Sequence, residues 1–351
     1  MRALLVAEGG YRAGLGHIVR CRVLAGELVR AGHDAALVLH GDRNALAQRA
    51  WPGAEAVTEI GEDAPISVVT QAVSERLANG GYDWLVVDGY RFSGNEVKAM
   101  RGSSACRVLV LDDVPGRALV GDLLLNQNST SSTGYASVSG QIGSFLLGPQ
   151  FALVDPCYLK SRRVAIQGES VRRVLVSFGG VDRHGRTARV IELLSLAANS
   201  PLAIDVVIGP YFPHRTRLTS AVRNLSICVH DNLPDLSGLM KDCDLMISAA
   251  GSTAWQACCV GIPLMVFQTV DNQKSVVDAL MDARAALCAN ATAATAPGSG
   301  IDAGEFDTMF EAMQSQTVRL GLAERAARLV DGEGAGRVVG AMLTYGIQVT
   351  Q

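Results

Sequence analysis

The chain of 351 residues carries 31 Lys and Arg against 34 Asp and Glu, a net charge of −3, with 48% hydrophobic and 19% charged residues. That apolar content excludes a disordered chain, and the absence of a basic excess argues against a dedicated nucleic-acid binder. The length predicts two domains at ~150 residues each, and the one outlier is glycine, 37 residues or about 11% of the chain against a usual ~7%.

The opening MRALLVAEGG has an apolar run too short for a secretory signal and reads as a buried strand over Ala3–Ala7. Helix Ile18–Arg30 follows, then strands Ala35–Leu39, Trp84–Val87, Val108–Leu111 and Leu123–Leu125. Asn128–Gly140 is small and polar and reads as a surface connection. Asp155–Glu169 is polar, holds Pro156 and has no clean periodicity, so the domain boundary is placed there. The alternation then restarts with strand Val174–Phe178, helix Thr187–Ala198, strands Ile204–Ile208 and Leu225–Val229, and helix Leu236–Lys241. Strand Leu245–Ser248, helix Ala254–Val260, strand Pro263–Phe267 and helix Ser275–Ala286 come next. Ala291–Gly300 reads as a second surface connection, helices Gly304–Met313 and Thr317–Leu329 complete the domain, and Gly336–Thr344 is expected to return to the first. Continuous apolar strands separated by helices require parallel sheets covered on both faces. The prediction is two doubly wound, Rossmann-like α/β domains, residues 1–158 and 170–334, with a C-terminal helix in 335–351 packing on the first.

The longest uncharged window, Leu245–Val270, is interrupted by Gly, Ser, Thr, Gln and Pro, so no membrane span is expected. The eight cysteines form no CxxC pair and the six histidines no HxxxH spacing. Reduced thiols in a cytoplasm, and no metal site, are the expectation.

Ligands of such sheets bind beyond the C-terminal strand ends, where the strand order switches. After the first strand comes EGGYRAGLGH, whose Gly9, Gly10, Gly14 and Gly16 allow close backbone approach. His17 opens the next helix, where the dipole disfavours imidazolium and leaves a neutral ring suited to taking a proton from water. Capping or packing of the helix is the competing reading of His17. Arg20 lies one turn on, facing the same place or solvent. Asp88, Asp112 and Asp113 end two further strands and are candidates to orient the histidine or hold sugar hydroxyls; turn formation is the alternative. Asn126, Gln127 and Asn128 add amides.

The second half has different chemistry. Ser177–Asp182 (SFGGVD), with Gly179 and Gly180, ends one strand, and Gly209 ends the next. Ala249–Thr253 (AAGST) runs straight into a helix, offering free N–H groups, hydroxyls and a helix dipole to a diphosphate. An ordinary Ser/Thr helix cap is the plainer alternative. Asp271, Asn272 and Gln273 open another helix toward the same edge. A base with acids in one domain and a diphosphate cradle in the other, facing across a cleft, predict chemistry on a nucleotide-activated sugar.

The run GLGHIVRCRVLA (Gly14–Ala25) resembles the N-terminal motif of PseG-type UDP-sugar hydrolases of pseudaminic acid biosynthesis. Matching segments continue in order through VVDGY (Val86–Tyr90), LDD (Leu111–Asp113), LLNQN (Leu124–Asn128), LLGPQFAL (Leu146–Leu153), VSFGGVD (Val176–Asp182), AAGSTAW (Ala249–Trp255), GIP (Gly261–Pro263) and DNQ (Asp271–Gln273). The resemblance implies a GT-B fold similar to MurG-type glycosyltransferases, no metal and no cofactor. It implies hydrolysis of UDP-2,4-diacetamido-2,4,6-trideoxy-β-L-altrose by inverting water attack at the anomeric carbon. On it, His17 activates or positions water, Tyr90 and Asn272 help hold the sugar and that water, and Ser252–Thr253 hold the diphosphate. With His17, Tyr90 and Asn272 taken as catalytic, the loop and strand-end residues Gly14, Gly16, Arg20, Asp88, Asp113, Asn126 and Gln273 are expected to bind the sugar. Gly179, Gly180, Gly209, Ala250, Gly251, Ser252, Thr253 and Gln256 bind the nucleotide. Two departures stand out: Gln256 replaces the usual ribose-binding Glu, and Asp155 stands where Arg is expected. A glycosyltransferase of the same architecture, or a hydrolase for another nucleotide-sugar, is the alternative.

Overall fold

The structure, a computed structural model, describes residues 1–42, 51–52, 57–136, 141–163, 168–213, 218, 225–231, 233–291 and 300–346. Residues 137–140 and 292–299, within the two expected surface connections, lie outside the described residues. The chain divides into two units, Met1–Val154 with Glu333–Gln351, and Asp155–Gly332.

The first unit contains β1 (Arg2–Gly9), α1 (Gly16–Arg30), β2 (Asp34–Gly41), β3 (Thr58–Ile60), α2 (Ile66–Gly80) and β4 (Trp84–Asp88). It continues with α3 (Gly94–Arg101), β5 (Arg107–Leu111), β6 (Val120–Asn126), α4 (Thr133–Ala136) and β7 (Gln141–Leu147). The sheet is parallel throughout, in the order β3-β2-β1-β4-β5-β6-β7. Alternation of side chains splits β1 between two cores. Ala3, Leu5 and Ala7 pack with Ile18, Leu24 and Leu28 of α1, whereas Leu4 and Val6 meet Val69 and Val73 of α2 and Val97 and Met100 of α3. Both faces are covered, which is why β1 reads as one apolar run.

The second unit contains α5 (Pro156–Lys160), β8 (Arg173–Ser177), α6 (Arg186–Ala197), β9 (Leu202–Ile208), β10 (Leu225–Asp231), α7 (Ser237–Asp242) and β11 (Leu245–Ala249). It ends with α8 (Ser252–Val260), β12 (Leu264–Gln268), α9 (Lys274–Asp282), β13 (Leu287–Asn290), α10 (Ala303–Gln314) and α11 (Gln316–Leu329). Its parallel sheet runs β10-β9-β8-β11-β12-β13. The last helix, α12 (Gly334–Thr344), belongs to the first unit, where Val338 and Met342 join the α1 side of the core.

Both sheets change direction of progression once, between β1 and β4 and between β8 and β11. These are the places where two successive loops part and leave a crevice. Helix α9 is shorter than expected: Ala285 N donates back to Leu280 O, Arg284 takes a positive φ of 50°, and the chain turns into β13. The Asn128–Gly140 segment is not all surface either, because Tyr135 of α4 is fully buried. Among the described residues no helix is long and apolar enough to cross a membrane.

Candidate active site

The loop after β1 closes on itself: Gly10 N donates to Gly14 O at 3.0 Å and Gly14 N to Gly10 O at 2.9 Å. Gly14 has φ 76°, a left-handed conformation that a side chain would strain. The closed loop delivers the chain into α1, whose cap residue, Leu15, offers no side-chain bond. His17 is free of a capping role, and its Nδ1 lies 2.7 Å from Oδ1 of Asp88 at the end of β4. Asp88 is fully buried and His17 nearly so.

Arg20, one turn along α1, knits the cluster together. Its Nε and Nη2 donate to Asp88 Oδ2 and Oδ1 at 3.0 and 2.7 Å, and its Nη1 donates to Asp113 Oδ2 at 2.9 Å. Burial works against the Asp88 carboxylate, but Arg20 and His17 outweigh it and hold the carboxyl below the ordinary value. Burial likewise opposes the Arg20 charge, and Asp88 and Asp113 overcome it. An ionised Asp88 only accepts, so His17 Nδ1 at 2.7 Å must carry a proton. Arg20 Nη2 also lies 2.9 Å from Nδ1, yet with Nδ1 protonated it donates to Asp88 instead. With Nδ1 given to Asp88, Nε2 is the nitrogen turned away from it and the one able to carry a lone pair.

Tyr90 completes the group. Its ring stands edge-on to His17, with centroids 4.6 Å apart, and its hydroxyl donates to Asp113 Oδ1 at 2.7 Å. Its backbone N–H donates to Glu8 Oε2 at 2.7 Å, which ties the turn after β4 to the end of β1. Gly89 makes this possible, because a Cβ there would lie 2.7 Å from both Glu8 Cγ and Oε2. Glu8 is a residue the sequence reading missed; its only signal is its place at the end of β1.

Neighbouring acids divide their work. Asp113 faces Arg20 and Tyr90, whereas buried Asp112 accepts from Arg117 Nη1 at 2.6 Å, Tyr135 Oη at 3.0 Å and Val114 N at 3.1 Å. Asn126 is buried, donating to Tyr135 Oη at 2.9 Å and accepting from Asn128 N at 2.8 Å. The structure thus gathers His17, Arg20, Asp88, Tyr90 and Asp113, and spends the Asn126 amide on the loop beneath them.

In the second unit, the glycines differ in what holds them. Gly209 is crowded by backbone, since a Cβ there would meet Gly180 Cα at 2.4 Å, and Gly179 has φ 82°. The N-terminus of α6 is filled by Asp182, whose two oxygens accept from Arg186 N and Thr187 N at 2.9 Å. Gly251 is neither crowded nor strained: a Cβ would meet nothing within 4 Å among the described residues, and the residue is extended with φ −107° and ψ −165°. It stands at the N-cap of α8, where no side chain caps the helix. Ser252, Thr253 and Gln256 are half-buried on the first turns of α8, while Ala250 is fully buried beside them. An uncapped helix start with open space before it is a ready anion site. Gln273 Oε1 accepts from Thr269 N at 2.8 Å, fastening the loop that carries exposed Asn272. Asp155 is the cap of α5, accepting from Cys157 N at 3.1 Å.

No family model matches the chain. The chain is 23% identical over 358 residues to the spore coat polysaccharide biosynthesis protein SpsG of Bacillus subtilis, covering 96% of both chains. It is 22% identical over 263 residues, 74% of this chain, to the Helicobacter pylori pseudaminic acid cytidylyltransferase and UDP-2,4-diacetamido-2,4,6-trideoxy-beta-L-altropyranose hydrolase. An uncharacterized Methanocaldococcus jannaschii protein, MJ1062, is 22% identical over 79% of this chain. The chain spans 58% of the Methanocaldococcus protein's length and 43% of the Helicobacter protein's. Among solved structures, Acinetobacter baumannii MurG superposes with a TM-score of 0.64 at 15% identity, over 98% of this chain and 100% of that one. The spinosyn rhamnosyltransferase SpnG, complexed with thymidine diphosphate, gives 0.59 at 19%, over 97% and 99%. The fold is that of the GT-B glycosyltransferases.

Proposed function

We propose that this chain is a nucleotide-sugar hydrolase that transfers the sugar to water with inversion, releasing a nucleoside diphosphate. The observation that carries this reading is the His17–Asp88 pair, which puts the imidazole proton on Nδ1 and leaves Nε2 as a base. Nε2 takes a proton from water as its oxygen bonds to the anomeric carbon, and the bond from that carbon to the diphosphate oxygen breaks on the opposite face. Asp88 keeps the tautomer and stabilises the imidazolium that forms, much as a buried carboxylate serves other histidine bases. Tyr90, Asp113 and Arg20 hold the ring's surroundings fixed. Within the second unit, the α8 N-terminus at Gly251–Thr253 offers free N–H groups and a helix dipole suited to a diphosphate.

The hydrolase in the name of the Helicobacter relative and the polysaccharide role in the name of SpsG support this reading. They favour a UDP-linked amino-deoxy sugar as substrate, and thymidine diphosphate in SpnG supports a pyrimidine diphosphate. Gln256 in place of Glu removes a charge-assisted bond to ribose hydroxyls and weakens the nucleotide's hold. The MurG and SpnG likenesses favour one alternative, glycosyl transfer to an acceptor other than water. The test is incubation with UDP-activated amino-deoxy sugars with and without acceptors. Acceptor-free release of UDP supports hydrolysis, and release only on adding an acceptor supports transfer.

A further inference from the structure

One face of the C-terminal sheet carries a polar cluster that this chemistry does not use. In parallel register, Leu175 of β8, Asp205 of β9 and Cys228 of β10 are partners and share a face. The opposite face carries Val174, Val176, Ile204, Val206 and Ile208 of the hydrophobic core. His230, two residues beyond Cys228 on β10, shares the polar face. Its Nε2 lies 2.7 Å from Asp205 Oδ1. Asp205 is buried, His230 half-buried and Cys228 exposed, so the group opens by steps from the sheet interior to its edge. The carboxylate, thiol and imidazole ligand atoms all lie within 4.8 Å of one another.

We propose that Asp205, Cys228 and His230 form a binding site for a thiophilic divalent cation of the zinc class. One oxygen, one sulfur and one nitrogen ligand match the preference of Zn²⁺ and leave a fourth tetrahedral position toward solvent. The cation takes the place of the Nε2 proton between His230 and Asp205 Oδ1; in the uncharged ring that proton moves to Nδ1, so the one proton released is that of the Cys228 thiol. Arg173 holds both carboxylate oxygens, its Nε donating to Asp205 Oδ2 at 2.6 Å and its Nη2 to Oδ1 at 3.2 Å, and Cys243 Sγ lies 3.7 Å from Oδ2. These partners fix the orientation of the carboxylate, as in metal sites, and the cation shares Oδ1 with the longer bond from Arg173 Nη2. The positive charge of Arg173 lowers affinity below that of an all-thiolate site. Spacing rules pass over this group because two ligands sit two apart on an edge strand and the third comes from its neighbour.

The test is titration of the full-length, chelator-treated protein with Co²⁺ and, separately, with Zn²⁺ by calorimetry. The expected result is one Co²⁺ per chain with a thiolate-to-cobalt charge-transfer band, lost in Cys228→Ser. Zn²⁺ binding releases about one proton per ion near neutral pH and weakens by about tenfold or more in His230→Ala. Cys228→Ser changes one exposed atom and is expected to fold. Absence of the band in the unaltered protein, or a band that survives Cys228→Ser, overturns the proposal.

Discussion

His17 Nδ1 and Asp88 Oδ1 are 2.7 Å apart, and they join the first turn of α1 to the end of β4 across the point where the sheet changes direction. The contact fixes the ring's tautomer, because the fully buried carboxylate is held ionised by Arg20 and accepts only. Asp88→Asn retains the shape but also offers an N–H, so it removes the preference for a proton on Nδ1. The expected outcome is a fall in kcat of about 10²–10⁴ with KM little changed. Steady-state kinetics beside an unchanged circular dichroism spectrum checks it.

Tyr90 and Asp113 act as one unit through their 2.7 Å hydrogen bond. Tyr90→Phe and Asp113→Asn are each expected to lower kcat/KM by roughly tenfold, and the double variant by little more than either, since residues in one network are not additive. A double-mutant cycle measures this. Independent, multiplying effects would show that the hydroxyl and the carboxylate serve separate tasks.

The open space before α8 makes a clean test of the proposed nucleotide site. Gly251→Ala adds a methyl that touches nothing among the described residues, so its unfolding midpoint is expected to stay near the parent's. A diphosphate seated on the helix start would meet that methyl. UDP affinity is therefore expected to drop about tenfold, or ~1.4 kcal/mol, read by calorimetry. Gly89→Ala is the contrasting case, because its Cβ would press on Glu8 and Phe92 at 2.7 Å. It is expected to cost about 1–3 kcal/mol of stability in urea unfolding.

Much of this was legible in the residues. Apolar runs such as Leu4–Val6 and Leu245–Ile247 can only be strands covered on both faces, and the Gly-rich turn before His17 marks where the first of them ends. The division of labour among the acids was not legible. Asp112 and Asp113 are adjacent in sequence, yet one is drawn down to Arg117 and Tyr135 and the other out to Arg20 and Tyr90. That depends on contacts with residues far along the chain. Helices α2 and α3 were missed for a related reason: α2 buries only Val69, Val73 and Leu77 in a mostly polar stretch.

Stability should fall with mild acid through His40. Its ring is buried between Arg91, whose Nη1 is 3.2 Å from Nε2, and Glu8, 3.9 Å from Nδ1, with Phe92 alongside. Burial first, then Arg91, hold it below the ordinary 6.5 despite Glu8. The unfolded chain therefore binds a proton that the folded one does not, so this contribution is present above 6.5 and is lost as pH falls toward the lowered folded value. Urea midpoints taken between about pH 7.5 and about pH 5.5 should decrease, and His40→Gln should flatten the slope.

The most direct measurement is turnover of a UDP-activated amino-deoxy sugar in isotopically labelled water by the parent chain and by His17→Ala. The prediction is label on the released sugar, none in UDP, and a loss of turnover of about 10²–10⁴ in the variant while UDP still binds. Full turnover by His17→Ala, or label recovered in UDP, would contradict a base at His17 and attack at the anomeric carbon.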